Sequence, residues 1–481
     1  MRHDDKSKGH TSTWAFGPAS RWKGEGWAWG AAVVAAIGAA LAMWAGVARG
    51  APEAEAKAGG DWEQWRGPNR NGVTTEESGW PGNWSPKRLW EKKVGAGCTS
   101  PVLAEGRIYV MGWEQAKKEK GKGEDTVYCL DARSGAEVWK QPYPCPYQSR
   151  LRTGDEGAYG GPSSTPAFDP ASKLLFTLST DGELRCWDTS QKGKAVWSKN
   201  LLEEYKVRQR PDVGGGRRDF GFTSAPLVMG KLVVVGVGSG QGTVMAFDKR
   251  TGEGRWKSAY NKAAGHTSGP VAMKVEGVDC IVEFALEKLV VMRADKGREG
   301  QTVGEMAWAT NYGCNIGTPA LAGNRVVVSS GHNQSRTVMV EVTLKGLREV
   351  WKSRESALVS SPVVWKGGVG LVEGEFKCLD LATGKLKWGG GKFGNGTCLV
   401  TGDGKVLAFG GGRLSLIEGQ PKDNKYHELA KVEKVVPGEC YPQVVLAEGL
   451  IVCKDRDGNM VCFSVGGAKT ESGKQTPEIA K

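Results

Sequence analysis

A short pattern that occurs four times restricts the fold of this chain more than any other feature of its sequence. Each copy has an Asp, a Gly four or five residues later, and a Trp four residues after that Gly. An Asp side chain accepts backbone N–H groups in a turn, Gly allows positive φ, and Trp begins the returning strand as a large buried side chain. The pattern predicts a tight turn between two antiparallel strands. The four copies are Asp131, Gly135 and Trp139; Asp188, Gly193 and Trp197; Asp248, Gly252 and Trp256; and Asp380, Gly384 and Trp388.

A second pattern, Ser or Thr close before Pro, recurs in step with the first. Each copy leads into an apolar strand, a Gly-containing turn and a second strand. Two further segments, 397–409 and 441–452, continue the series without the full pattern, which gives eight units of about 49 residues each. That length is typical of four-stranded propeller blades. The prolines of the six copies are Pro101, Pro166, Pro226, Pro270, Pro319 and Pro362.

We therefore predict an all-β fold, an eight-bladed β-propeller of four-stranded antiparallel blades, over residues 61–466. A seven-bladed ring and another all-β fold are the open alternatives. The last unit has no Trp strand of its own, whereas Leu89–Val94, which contains Trp90, has no Asp turn before it. We expect this N-terminal strand near Trp90 to complete the last blade and close the ring, which would protect the sheet edges.

The two ends of the chain differ from this body. Trp27–Ala48 is an uncharged run that follows a net-basic stretch, and it predicts a signal peptide or an N-terminal membrane anchor within 1–50, followed by a linker over 51–60. Because the basic residues precede the run, we expect the body to be extracytoplasmic, periplasmic or secreted. The polar segment 467–481 predicts a disordered tail. The net charge of +12 is spread over the chain, so we expect no nucleic-acid partner.

The copies at Asp248 and Asp380 have the spacing Asp-x-x-Thr-Gly-x-x-x-Trp and resemble the tryptophan-docking motif of the pyrroloquinoline-quinone (PQQ) propeller superfamily. The opening segment Asp61–Gly72 is similar to the start of secreted bacterial PQQ-like repeat proteins. The superfamily includes quinoprotein alcohol dehydrogenases and the outer-membrane assembly propeller subunit. The resemblance implies a propeller and leaves the activity open, because one fold hosts many functions.

Quinoprotein dehydrogenases of this superfamily hold their quinone with a vicinal disulfide, a Trp platform and a calcium ion. In this sequence no two cysteines are adjacent, and no Cys-x-x-Cys-His haem motif occurs. His266, His332 and His427 show no zinc-like spacing with cysteine, and Asp455–Asn459 lacks the later Glu of a calcium loop. We therefore expect no catalytic residue, no metal and no cofactor, with PQQ and calcium as the alternative.

The eleven cysteines include four at one position of the repeat, where a small apolar side chain packs. Two pairs could form disulfides in an exported protein. Cys453 and Cys462 are symmetric about a predicted turn, and Cys98 and Cys440 precede strands of blades that become neighbours when the ring closes.

Loops that enter the Ser/Thr-Pro strands and loops that join the second and third strands share one face around the channel. Small residues there also let inner strands crowd near the axis, so packing is the alternative explanation. The amides, hydroxyls and basic groups still make this face the candidate site for a polar or anionic ligand or a protein loop. Its members are Tyr159, Arg217, Arg218, His266, Thr267, Tyr312, Asn315, His332 and Asn333.

Two classes of function follow. The first is a noncatalytic extracytoplasmic propeller, a monomer, that binds envelope or secreted proteins as an interaction scaffold or binds a ligand, in cell-envelope or outer-membrane protein assembly. The alternative is a quinoprotein-type oxidoreductase or a small-ligand binding protein that uses the axial face.

Overall fold

The computed structural model describes residues 60–79, 84, 86–116, 123–145, 161–208, 220–265, 269–310, 313–332 and 334–465. These residues form thirty strands, one short helix α1 (Leu201–Glu204) and a 3-10 turn (Thr189–Gln191). The predicted segment 1–50, almost all of the linker 51–60 and the tail 467–481 lie outside the described residues. None of the described helices has the length and the hydrophobicity needed to span a bilayer.

Each sheet is antiparallel and takes its strands from consecutive stretches of chain, apart from β1. One sheet contains β2 (Val102–Ala104), β3 (Arg107–Gln115), β4 (Gly123–Asp131) and β5 (Glu137–Pro144). The next contains β6 (Ala167–Asp169), β7 (Leu174–Leu178), β8 (Glu183–Asp188) and β9 (Lys194–Asn200). It is followed by β10 (Leu227–Met229), β11 (Leu232–Ser239), β12 (Gly242–Asp248) and β13 (Gly254–Lys257).

The second half of the body continues in the same way. One sheet contains β14 (Val271–Val275), β15 (Val278–Phe284), β16 (Lys288–Arg293) and β17 (Thr302–Ala307). The next contains β18 (Ala320–Ala322), β19 (Arg325–Ser330), β20 (Arg336–Thr343) and β21 (Gly346–Ser353). A six-stranded sheet contains β22 (Val363–Trp365), β23 (Gly368–Leu379), β24 (Leu386–Val400), β25 (Val406–Gly410), β26 (Arg413–Ile417) and β27 (Glu428–Val432). The last sheet contains β28 (Val445–Ala447), β29 (Leu450–Lys454), β30 (Asn459–Ser464) and β1 (Lys87–Lys93).

The described residues thus form seven sheets, so the prediction of eight blades is wrong. Two of the predicted units are joined by the continuous strand β24. This strand pairs with β23 as far as Asn395 and with β25 from Gly396 onward, so no break separates the two units. The all-β propeller of four-stranded antiparallel blades is otherwise confirmed. Inner strands of successive sheets lie side by side, as at β28, β2, β6 and β10.

The N-terminal strand closes the ring as predicted. Strand β1 pairs antiparallel with β30, and Trp90 lies opposite Cys462. The last sheet therefore contains strands from both ends of the body, so the two ends must come together for the ring to form.

The Asp turns form as the repeat predicts. The Asp131 carboxylate accepts the Ser134 N–H at 3.0 Å, and the Asp248 carboxylate accepts the Arg250 N–H at 2.9 Å. The Ser134 hydroxyl and then its N–H lower the pKa of the Asp131 carboxyl, and the Arg255 guanidinium and then the Arg250 N–H lower that of the Asp248 carboxyl. The repeat glycines have φ between +69° at Gly135 and +74° at Gly252, where an L side chain is strained.

Each repeat glycine also holds the Trp of the preceding blade. A Cβ on Gly135 would lie 2.6 Å from the Trp90 ring, and one on Gly384 would lie 2.4 Å from the Trp351 ring. The Trp90 indole donates to the Ala132 carbonyl at 3.0 Å, and the Trp351 indole donates to the Leu381 carbonyl at 2.9 Å. The same pairing joins Trp139 to Gly193 and Trp197 to Gly252. The pattern therefore connects neighbouring blades as well as neighbouring strands.

The Ser/Thr residues before Pro connect the inner strands. The Ser100 N–H donates to the Thr165 hydroxyl at 3.0 Å, and the Thr318 N–H donates to the Ser361 hydroxyl at 2.9 Å. The Gln443 N–H donates to the Ser100 hydroxyl at 2.7 Å across the ring closure. Each bond pairs one blade with the next one around the ring, which explains why the pattern recurs so close to the axis.

Candidate functional site

The predicted axial face is described at two positions. Seven of its residues lie outside the described part of the chain: Tyr159, Arg217, Arg218, His266, Thr267, Tyr312 and Asn333. Their role as a ligand or partner face stays a prediction. His332 is half-buried, just after β19, and its backbone carbonyl accepts the Gln334 N–H. Its part in a ligand or partner face stays a prediction as well.

Asn315 has a structural role. Its side chain is fully buried, and its amide nitrogen donates to the carbonyls of Ala285, Leu286 and Trp308 at 2.7, 3.0 and 3.1 Å. Its amide oxygen accepts the Thr310 hydroxyl at 3.1 Å. Because these bonds satisfy the amide internally, Asn315 holds its loop to the neighbouring strands and is not available to a ligand.

The centre of the ring is occupied by residues 60–79, which we call the axial segment. Trp62 forms an antiparallel bridge with Leu103 on β2, and the Glu63 carbonyl accepts the Phe168 N–H from β6 at 2.7 Å. Further along, Val73 forms a parallel bridge with Val400 on β24. These inner strands belong to different sheets around the ring, so the segment lies in the channel between them.

Two arginines of the axial segment are wholly buried. Arg66 is 0% exposed, and it donates to the carbonyls of Thr318 and Pro362, at the starts of β18 and β22. Arg70 is 2% exposed, and it donates to the carbonyls of Ala225 and Pro226 at 3.1 and 2.8 Å. Guanidinium groups present several donors in a fixed plane, which lets one side chain satisfy several carbonyls. The two arginines therefore hold three blades from inside the channel.

The inner strands make room for Arg70 where they depart from the repeat. Ala225 and Gly269 stand where the other copies have a hydroxyl side chain before Pro. A Cβ on Gly269 would lie 2.2 Å from Arg70 Nη2. At Gly269 the guanidinium therefore occupies the space that a side chain would need.

Burial strongly affects these charges. It lowers the pKa of Arg66 to about 10 and that of Arg70 to about 9. The positive charge of Arg66 also contributes to the lowered pKa of Arg70. The carboxylate of Glu283, itself buried, partly offsets this at Arg70. The channel centre is thus cationic, and backbone carbonyls are the main acceptors for both guanidinium groups.

In the sequence, the segment Asp61–Gly72 indicated only a family resemblance, and its position in the channel was not predicted. A signal was present, because two Arg and two Trp close together in a short stretch outside the repeat are unusual for a linker. The change from Ser/Thr to Ala225 and Gly269 was the second signal.

The predicted disulfides are not formed. All eleven cysteines lie in the described ranges, and no disulfide joins any two of them. Cys453 pairs with Val461, whereas Cys462 pairs with Val452, so the two side chains leave opposite faces of the sheet. The Cys440 sulfur instead accepts the Gly412 N–H at 3.4 Å. Burial raises the pKa of both Cys453 and Cys462, as expected of cysteines packed in the core.

The described residues at the axis do not fit PQQ with calcium. The axial segment bonds to the inner strands β2, β6 and β24, two buried guanidinium groups lie between the blades, and no three His, Cys, Asp or Glu side chains come together as a metal site in the ranges given above. No two cysteines are adjacent in the sequence. We therefore derive no chemistry through a quinone.

The fold and its channel define a PQQ-like repeat β-propeller whose axis is filled by its own N-terminal segment. A family model described as "Outer membrane protein assembly factor BamB" matches residues 123–389, more than half of the chain. The chain belongs to this family.

Individual relatives are more distant. BamB from Moraxella catarrhalis superposes with a TM-score of 0.52 at 12% identity, covering 79% of this chain and 100% of that one. Sqt1 from Saccharomyces cerevisiae gives 0.51 at 12% identity, covering 80% and 100%. These two likenesses concern the fold alone. A polyvinylalcohol dehydrogenase from Pseudomonas sp is 28% identical over 180 residues, which are 36% of this chain. The chain spans only 27% of that relative's length.

Proposed function

We propose that this chain is a noncatalytic extracytoplasmic propeller that binds other proteins as an interaction scaffold. The observation that carries the proposal is the filled channel. Arg66 and Arg70 are buried in it and bonded to carbonyls of the inner strands, so the axis serves stability, and binding falls to the loops and outer edges. Membership of the BamB family supports a scaffold, because that family is described as an assembly factor.

The finer form of the proposal is a role in cell-envelope or outer-membrane protein assembly. It is supported by the predicted signal peptide or anchor within 1–50 and by the family description. Under this proposal the partners are envelope or secreted proteins, and the chain needs no cofactor.

Cross-linking of the full chain in envelope extracts tests the proposal. A tagged chain is cross-linked, purified under denaturing conditions and analysed by mass spectrometry, with excess untagged chain as the competitor. We expect one or a few proteins joined to it at defined propeller residues, and we expect the competitor to remove these products. Products that do not respond to the competitor, or no product at all, would contradict scaffolding.

The second candidate is a quinoprotein-type oxidoreductase, and the specific observation in its favour is the local identity to a polyvinylalcohol dehydrogenase. Titration of the full chain with PQQ and calcium, followed by absorbance and by dye reduction with alcohols, tests it. Saturable binding with turnover would overturn the noncatalytic proposal. If the chain shows no binding and no turnover, this second candidate is eliminated.

A further inference from the structure

An open groove lies at the outer edge of the sheet that contains β12 and β13. It has a volume of about 540 Å³ and is lined by residues of both strands and by Tyr205, which follows α1. We call it the edge groove. Its lining residues are Tyr205, Met245, Ala246, Phe247, Gly254, Arg255, Trp256 and Lys257.

The outer strand at this groove is unusually short. Strand β13 has four residues, whereas the outer strands of the other four-stranded sheets have six to eight. In the strand order of its sheet, β13 pairs with β12 on one side and, among the described strands, with none on the other. An edge strand of this kind offers backbone N–H and C=O groups to an added strand.

The walls of the groove are aromatic. The rings of Tyr205 and Phe247 meet edge to face at 6.0 Å, and Met245 lies on the same strand as Phe247. The indole nitrogen of Trp256 is buried and has no hydrogen-bond acceptor among the described residues, whereas Trp90 and Trp197 at the same repeat position each donate to a carbonyl of the next blade. Apolar walls next to an edge strand suit a segment that carries apolar side chains.

The rim of the groove presents one exposed cation to a partner. Lys257 is exposed, lies 5.2 Å from the centre of the Tyr205 ring and donates to the Gln241 amide, and it forms no salt bridge within the described residues. Arg255 is exposed as well, but it pairs with Asp248 at 2.8 Å and with Glu253 at 3.7 Å. Lys199 lies 5.9 Å from the Phe247 ring and pairs with Glu204 at 2.9 Å. Among the described residues of the rim, Lys257 is therefore the cation that a carboxylate of a partner complements.

We propose that the edge groove binds an extended acidic segment of a partner protein, which adds to β13 as a further strand. In a strand, alternate side chains point to opposite faces. Trp256 and Lys257 are consecutive on β13 and lie on opposite faces of the sheet, so apolar side chains of the added strand lie beside Trp256 and carboxylates on the other face lie beside Lys257. This inference rests on the proposed scaffold function and specifies the surface and the chemistry of the segment it binds.

The test uses the full chain and a labelled peptide of about eight residues in which Asp or Glu alternates with Val or Phe. Fluorescence anisotropy measures its affinity at low and at moderate salt. The first control peptide carries Lys in place of the acidic residues, which reverses the charge. The second carries N-methyl groups on alternate backbone nitrogens, which removes the strand hydrogen bonds. Lys257→Glu is the test variant. Lys274→Glu, an exposed lysine on β14 that pairs with Asp279, is the matched control.

We expect saturable binding of the acidic peptide that weakens with salt, is lost for both control peptides, and is weakened about tenfold by Lys257→Glu but less than about twofold by Lys274→Glu. The inference is overturned by an absence of saturable binding or by equal effects of the two variants. It is also overturned if sedimentation shows that the chain self-associates and that a second copy covers the groove. Cross-links to partners at other surfaces, without binding at the groove, would leave the scaffold function standing and refute the groove.

Discussion

Replacement of Gly384 by alanine tests whether the repeat glycines hold the blades together. Gly384 has φ +71°, and a Cβ there would lie 2.4 Å from the Trp351 ring. The backbone strain of a non-glycine residue at such a φ costs about 1 kcal/mol. The methyl group must also displace a ring that is 8% exposed and lose the 2.9 Å indole bond to the Leu381 carbonyl, which adds about 1–3 kcal/mol. We expect Gly384→Ala to lower the free energy of unfolding by about 2–4 kcal/mol.

The matched control is Gly374→Ala in the same sheet. Gly374 has φ +69°, and a Cβ there would meet nothing within 4 Å, so only the backbone term remains. Urea unfolding of both variants, followed by circular dichroism, gives the two free energies. The difference should be about 1–3 kcal/mol, with Gly384→Ala the less stable. Equal losses would refute the docking of Trp351 on Gly384 as a source of stability.

Four further predictions concern the channel, the loops and the thiols. Arg70→Met leaves two carbonyls without a donor and should lower the unfolding free energy by about 2–4 kcal/mol in urea unfolding. Burial lowers the pKa of Lys454 from 10.5 to about 8, so the unfolded state holds this proton more tightly and the contribution of Lys454 to stability should rise from pH 8 to 10.5. Because buried thiols such as Cys453 and Cys462 have raised pKa values and act in the opposite direction, this contribution is measured as the difference in unfolding free energy between the parent chain and Lys454→Met across a pH series. Asn315→Ala should reduce the melting temperature without altering the affinity of a bound peptide, because its amide is bonded internally. Thiol titration of the unfolded chain should give the same count, eleven, with and without reductant.

Local features of the fold could be predicted because each depends on residues close together in sequence. The Asp turn at Asp248 needs only its own acceptor and the positive φ of Gly252. The closing role of β1 is not local, since β1 pairs with β30 at the other end of the body, but it was predicted because the last unit lacked a strand and the strand of Trp90 lacked a unit. The prediction of eight blades was wrong because β24 runs through Asn395 and Gly396 without a break. Whether a strand is continuous depends on its pairing to both neighbouring strands, which the repeat does not encode.

The candidate site was harder to predict, since its residues come together only when the ring closes. Asn315 was predicted to contact a ligand because it is polar and lies in a loop between strands. Its amide instead donates to three carbonyls that the local sequence does not identify. Arg66 and Arg70 belong to the segment Asp61–Gly72, which in the sequence indicated only a family resemblance. Their acceptors lie more than 150 residues away, at Pro226 and Pro362.

The axial segment also limits where this propeller can act. Arg66 and Arg70 lie at the centre of the ring, where an axial ligand would otherwise make its contacts, and burial lowers their pKa values, an effect that the Glu283 carboxylate only partly offsets at Arg70. Displacing them would leave the carbonyls of Thr318, Pro226 and Pro362 without donors, at a cost of about 1–3 kcal/mol each. A partner gains more by binding where the backbone is already open. The outer edge at β13, with the exposed cation of Lys257 beside it, is such a place.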